Sequence, residues 1–209
     1  MNLKSIVILV ACVLAFIFLR MKHEKDDWPI KNHRSNIHSA VAFGDSLTRG
    51  EGSQVGRAYP DYLSKMFGLR FVNLGKNGDT SASAKERLPA VLALTPDIVI
   101  ITLGGNDLLR KTSRQKTVAN LQFIFRALQK EGAMVAYAAI DPPFVDDDWV
   151  AAIKDTCRDE GVIYISAIMQ GIWLNSSLMV DRIHPNSKGY KMIAERVYRQ
   201  LEKTMNPSK

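Results

Sequence analysis

Asp97-Ile98-Val99-Ile100-Ile101-Thr102-Leu103-Gly104-Gly105-Asn106-Asp107 is an apolar, mostly β-branched run that ends on a glycine pair and two short polar side chains. A strand with one wet face alternates apolar and polar residues. A run without alternation, bounded by turn residues, reads as a strand covered on both faces. The same reading applies to residues 39–43, 69–74, 133–140 and 162–165, which with 97–103 makes five strands. Amphipathic stretches of helical period separate them, at residues 59–67, 83–94 with Pro89 as an internal break, 113–130 and 147–160. Val118, Leu121, Phe125 and Leu128 fall on one stripe of the third. A last helix is predicted from about Ser187 to Lys203, buried along Tyr190, Ile193, Val197 and Leu201 and capped near Asn186 or Ser187. Strict alternation of strand and helix calls for an α/β fold of three layers, α/β/α, with right-handed crossovers and a parallel sheet.

Composition bounds the rest. The chain has 209 residues, 46% hydrophobic and 23% charged, enough for one well-buried domain. No repeat of 20–50 residues recurs, and no Gly/Ser-rich or Pro-rich tract divides it. The net charge of +7 is partly N-terminal: beyond residue 36 there are 22 basic and 18 acidic side chains, a net +4. Arg110, Lys111, Arg114 and Lys116 cluster after the third strand and read as a solvated helix start. No nucleic-acid-binding pattern is present, so nucleic acid is not an expected partner. Cys12 and Cys157 are the two cysteines, and Cys12 lies in the N-terminal apolar run, so no disulfide is expected in the domain. His23, His33 and His38 lack metal-ligand spacing.

Residues 6–19 carry no charge and are flanked by Lys4 and Arg20. Fourteen residues suit the apolar part of a secretory signal and fall short of the ~20 that span a bilayer as a helix, although Leu3, Lys4 and Met21 extend the run. No small-residue cleavage site follows, which favours an uncleaved anchor. Leu9-Val10-Ala11-Cys12 resembles a lipoprotein box with a short apolar run before it. The expected organisation is a membrane anchor or signal segment at 1–21, a polar tether at 22–38, a folded domain at 39–205 and a tail at 206–209. Basic residues after the run oppose export by the positive-inside rule.

The ends of the strands hold the chemistry. Gly44-Asp45-Ser46-Leu47 follows the first, Asn73-Leu74-Gly75-Lys76-Asn77-Gly78-Asp79-Thr80-Ser81 contains the end of the second, and Gly104-Gly105-Asn106-Asp107 follows the third. Asp181-Arg182-Ile183-His184-Pro185-Asn186 precedes the last helix. Ligands of open parallel sheets bind beyond the carboxyl ends of the strands, where all these blocks fall. A serine hydroxyl attacks only when a base takes its proton. With Asp181 three residues before His184 and Pro185 stiffening the exit, the carboxylate can hold one imidazole nitrogen while the other faces Ser46. Singly, Ser46 also fits a helix cap, His184 a structural histidine, Asp181 a loop acid, and Gly78 and Asn106 turn residues. The Gly-x-Ser-x-Gly spacing of α/β-hydrolases is absent.

Taken in order, the four blocks resemble the SGNH subgroup of the GDSL esterase and lipase family, across roughly residues 39–205. The resemblance implies a flavodoxin-like, five-stranded sheet in the order 2-1-3-4-5. It assigns Ser46, Asp181 and His184 to a catalytic triad. It assigns the oxyanion hole to the backbone N–H groups of Ser46 and Gly78 and the side-chain amide of Asn106. Gly78 is preferred to Gly75 because it stands directly before Asp79-Thr80-Ser81. The implied reaction is hydrolysis of carboxylic esters through an acyl-enzyme, with no cofactor and no metal. Substrate-facing loops are implied near 107–112, 141–149 and 168–180, giving Leu108, Phe144, Ile172, Trp173 and Met179 as substrate-binding residues within an apolar set that includes Leu109, Trp149 and Leu178. The same side chains fit a core equally well. Aryl or short-acyl esters, thioesters and lysophospholipids are the expected substrates. Deacetylation of an O-acetylated polysaccharide, acyl transfer, or a noncatalytic membrane-tethered binding module are the alternatives. The family usually places such a domain outside the cytoplasm, and that orientation is the one expected.

Overall fold

Every residue of β1 (Ala40–Gly44), β3 (Ile98–Thr102) and β4 (Met134–Ala138) is buried, as expected where successive side chains point to opposite faces and both faces are covered. The computed structural model describes residues 28–142 and 147–205. With β2 (Phe71–Gly75) and β5 (Ile163–Ile165), these strands form one parallel sheet in the order β2-β1-β3-β4-β5. The seven helices among the described residues are α1 (Ser46–Arg49), α2 (Tyr59–Phe67), α3 (Ser81–Leu92), α4 (Gly105–Leu109), α5 (Arg114–Lys130), α6 (Asp147–Asp159) and α7 (Ser187–Met205).

The side chains of one sheet face, among them Ala42, Ile98, Ile100 and Ala136, pack with Tyr59 and Leu63 of α2 and with Tyr190, Ile193, Val197 and Leu201 of α7. The opposite face, with Phe43, Val99, Ile101 and Val135, packs with Leu88 and Val91 of α3, Leu121, Ile124, Phe125 and Leu128 of α5, and Ile153 and Cys157 of α6. The expected stripe of α7 is therefore the buried one. On α5, Val118 is only half-buried and Ile124 takes its place in the stripe.

Three local readings change. Pro89 does not break α3, which runs through it and ends one turn later at Leu92. The short helices α1 and α4 follow β1 and β3 directly, with four and five residues, too few to show a period in the sequence. The stretch expected as a tether is, from Trp28 onward, held against the domain. The Trp28 indole donates to the Val162 carbonyl at 2.9 Å, and the Asn32 amide to those of Gln129 and Ala133 at 2.7 and 3.0 Å. Arg34 pairs with Asp97, which also accepts from the His38 and Ser39 N–H groups. Asp97, Ala133 and Val162 sit at the amino ends of β3, β4 and β5, and Gln129 in the last turn of α5 beside them. The apolar run at 6–19, Phe144 and the tail at 206–209 lie outside the described residues. Among the described residues no helix is long and apolar enough to cross a membrane.

Candidate active site

Ser46 is placed by a tight junction. A Cβ on Gly44 would stand 2.3 Å from the Thr102 carbonyl oxygen and 2.3 Å from Thr48 Oγ1, so only glycine lets β1 turn into α1 this close to β3. Asp45 caps α1, its Oδ1 accepting from the Leu47 N–H at 2.9 Å. Ser46 is thus the first residue of the helix, where its own N–H has no helical partner to satisfy. Behind it, Tyr59 bridges Thr48 and Thr102 at 3.2 and 3.1 Å; burial pushes its phenol up to about 12.

The loop before α7 brings its pair to the same edge. The Val180 N–H donates to the His184 carbonyl, and Met179 bridges Pro185, closing the segment on itself. One oxygen of Asp181 accepts from the Ile183 and His184 N–H groups, both at 2.7 Å, and the other lies 2.8 Å from His184 Nδ1. Partial desolvation raises the Asp181 pKa, but the hydrogen bonds from the His184 ring and backbone and from Ile183 outweigh it and hold the carboxyl at about 2. An ionised carboxylate only accepts, so Nδ1 is assigned the proton and Nε2 is left bare. His184 Nε2 lies 3.0 Å from Ser46 Oγ.

A pocket of about 190 Å³ opens at Ser46 and His184. Its polar wall is Asn77, Gly78 and Asn106, and its apolar wall is Leu47, Leu108, Leu109, Ile140, Pro142, Trp173 and Ile183. Asn106, in the first turn of α4, donates from Nδ2 to the Asp79 carbonyl at 3.0 Å, with the buried Asp45 Oδ2 a longer 3.4 Å away. One amide hydrogen is therefore engaged and the other weakly held. The Asp79 carboxylate is itself buried and takes Arg87 at 2.5 Å and the Ser83 hydroxyl at 2.6 Å, and the buried Asp107 carboxylate takes the Ser81 N–H and hydroxyl at 2.8 and 2.5 Å. Asp107 thereby ties the end of the second block to the third, and Asp79 ties it to α3. Asp45 is different. Desolvation by burial raises its pKa to about 7, with Asp79 adding to the rise, while the Leu47 N–H and the nearby His184 ring oppose it.

Of the residues expected to meet substrate, Leu108 and Trp173 line the pocket. Ile172 does not: it is fully buried in the core beneath α7. Met179 is half-buried against the same core, its backbone tied to Pro185, and is not part of the pocket wall. Trp149 lines a small adjoining cavity of about 20 Å³, and Leu178 packs on the core. Leu47, Asn77, Ile140, Pro142 and Ile183 were missed, although Leu47 and Ile183 are sequence neighbours of Ser46 and His184.

Residues 42–192 match the model of the GDSL-like lipase/acylhydrolase family. The chain belongs to that family. Its relatives include esterase TesA of Pseudomonas aeruginosa, 29% identical over 174 residues that cover 78% of this chain and 87% of the relative. Another is thioesterase 1/protease 1/lysophospholipase L1 of Escherichia coli, 29% identical over 79% of this chain and 84% of the relative. Among solved structures of the family, the psychrotrophic esterase EstA from Pseudoalteromonas, inhibited by monoethylphosphonate, superposes with a TM-score of 0.73 at 27% identity, covering 80% of this chain and 98% of that one. A crystal structure of TesA gives the same TM-score, 0.73, at 28% identity, over 79% of this chain and 98% of the other.

Proposed function

We propose that the chain hydrolyses carboxylic esters through an acyl-enzyme on Ser46. The carrying observation is the relay in which Asp181 Oδ2, His184 and Ser46 Oγ follow one another at 2.8 and 3.0 Å at the mouth of a pocket that also presents Gly78 and Asn106. Ser46 Oγ attacks the ester carbon as its proton passes to His184 Nε2. The carbonyl electron pair moves to oxygen, where the N–H groups of Ser46 and Gly78 and the Asn106 amide receive the charge. Collapse expels the alcohol or thiol, which takes the proton from His184; water, deprotonated by the same nitrogen, then releases the acid. Asp181 stabilises the imidazolium in both halves.

The apolar wall supports an acyl or aryl group of modest size, in keeping with relatives named esterase, arylesterase and thioesterase. The test is a panel of aryl esters of increasing acyl length, assayed beside acyl thioesters and acetylated sugars with Ser46→Ala as control. Turnover of aryl esters lost in the control is the expected result; a folded protein that turns over none of them and is not labelled by an organophosphonate ester rejects the reading. The uncharged run at 6–19 supports a membrane-held or exported chain; the extracytoplasmic side is proposed from the family resemblance, against the basic residues that follow the run. Protease accessibility of the domain in intact cells, with carbonate extraction of membranes, tests that placement.

A further inference from the structure

We propose that Asp141 is a positioning residue that limits acyl-chain length, its carboxylate holding Pro142 as part of the partition between the active-site pocket and the small cavity beside it. The inference rests on the reading of the apolar wall as the acyl site. Gly105, Leu108, Ile140 and Pro142 border both the pocket at Ser46 and the adjoining cavity of about 20 Å³, so they stand between the two. Ile140 is fixed by packing: it is nearly buried in the core, and a Cβ on Gly105 would come within 3.1 Å of its Cδ1. Pro142 is half-buried and lies in no helix or strand, so the backbone before it decides where it stands.

That backbone is not one the local sequence prefers. Asp141 has φ +44°, in the left-handed region that residues other than glycine, asparagine and aspartate rarely enter. The proline after it steers it toward extended backbone instead. A conformation of this kind persists where its surroundings impose it. The Asp141 carboxylate supplies that restraint: Oδ2 accepts from the Ala167 N–H at 2.7 Å and Oδ1 from the Tyr164 hydroxyl at 3.3 Å. The receiving end is itself fixed. The Ile168 N–H donates to the Ala139 carbonyl at 2.9 Å, and Arg196 of α7 donates to the Ala167 and Ile168 carbonyls at 3.1 and 2.6 Å. The φ and ψ of Asp141 are the torsions that join Ile140 to Pro142, so a carboxylate anchored on Ala167 fixes Pro142 relative to a wall that packing already holds.

Without that anchor Pro142 leaves the partition and the pocket gains the neighbouring space, room for about one small group. The experiment compares wild type with Asp141→Asn, Asp141→Gly and Asp141→Ala on p-nitrophenyl esters from acetyl upward, alongside thermal unfolding. It reads the fall in kcat/KM from the best acyl length to a chain two methylenes longer. The ratio is taken within each variant, so a loss shared by all lengths, as from a less stable fold, does not move it. Asp141→Gly accepts the positive φ but has no carboxylate, and it is expected to shrink the ratio about fivefold, part of what a misfitting methylene is worth in an apolar pocket. Asp141→Ala is expected to match it; if that variant does not fold, Asp141→Gly decides. Asp141→Asn tolerates the same φ and keeps an oxygen for the Ala167 N–H, and its ratio is expected to stay within about twofold of wild type. A glycine variant within twofold of wild type overturns the proposal. So does an asparagine variant that loses selectivity as fully as the glycine one, or a wild type that hydrolyses esters with no length preference. A wild type that turns over no ester rejects the underlying esterase reading and this inference with it, so the two failures are distinct.

Discussion

Asp181 does two things with two oxygens, and its pKa follows from both. One oxygen ties the backbone of its own loop and the other orients the His184 ring. Because its folded pKa of about 2 lies below the ordinary carboxylate value, its stabilising contribution is complete above that ordinary value and is lost only as pH falls toward 2. Asp181 therefore stays ionised throughout the working range. Asp181→Asn removes the acceptor that fixes the tautomer, and kcat is expected to fall by about 10⁴, measured on the best aryl ester of the panel. Ser46→Ala is expected to cost about 10⁶. Asp45 has the opposite sign. With its folded pKa raised to about 7, the native state holds a proton that the unfolded chain has already released, so this group makes stability fall as pH rises from about 4 to 7. Asp45→Asn cannot titrate, and its unfolding midpoint relative to wild type is expected to improve between pH 5 and pH 8; a constant difference would reject the shift. The sequence places Asp45 beside Ser46, but its burial comes from β3 and α4, which no local pattern reports.

At the scale of elements, what was legible followed from length and periodicity. The five strands and the long helices announce themselves by short, mainly apolar runs, often β-branched, and by stripes such as Tyr190, Ile193, Val197 and Leu201, all fully buried. The order of polar blocks then places Ser46, Gly78, Asn106, Asp181 and His184 on one edge. Ile172 and Met179 sit on the core side rather than in the pocket wall, for a reason that belongs to this scale: an apolar side chain in a loop over an open sheet faces either the ligand or the core, and composition does not distinguish them. Ile172 lies where a Cβ on Gly189 would come within 3.3 Å of its Cγ2, so close approach of α7 decides its side. Asn106 gains its position from α4, a five-residue helix with no sequence signature of its own. Asn106→Ala is expected to lower kcat by about 10² to 10³.

At the scale of the molecule, a parallel sheet has two unlike ends, and this chain uses them differently. The carboxyl ends of β1, β2 and β3 carry Ser46, Gly78 and Asn106, while the amino ends of β3, β4 and β5 receive the strap from Trp28 to His38. The strap reads as a tether because Lys31, Asn32, His33 and Arg34 are polar. Its partners, though, are backbone carbonyls and the Asp97 carboxylate more than fifty residues away in sequence, a relation invisible to any window along the chain. Trp28→Ala loses a half-buried ring and the bond to Val162. For a large-to-small change short of full burial the expected cost is about 1–3 kcal/mol, which lowers the unfolding midpoint by roughly 2–10 °C in a domain of this size. Because the strap and the relay sit at opposite ends of the strands, kcat on the same ester is expected to stay within about twofold below the new midpoint. A variant that kept its midpoint and lost its turnover would mean that the two ends are coupled through the sheet, and the separation of scaffold from chemistry argued from the strand order would not hold.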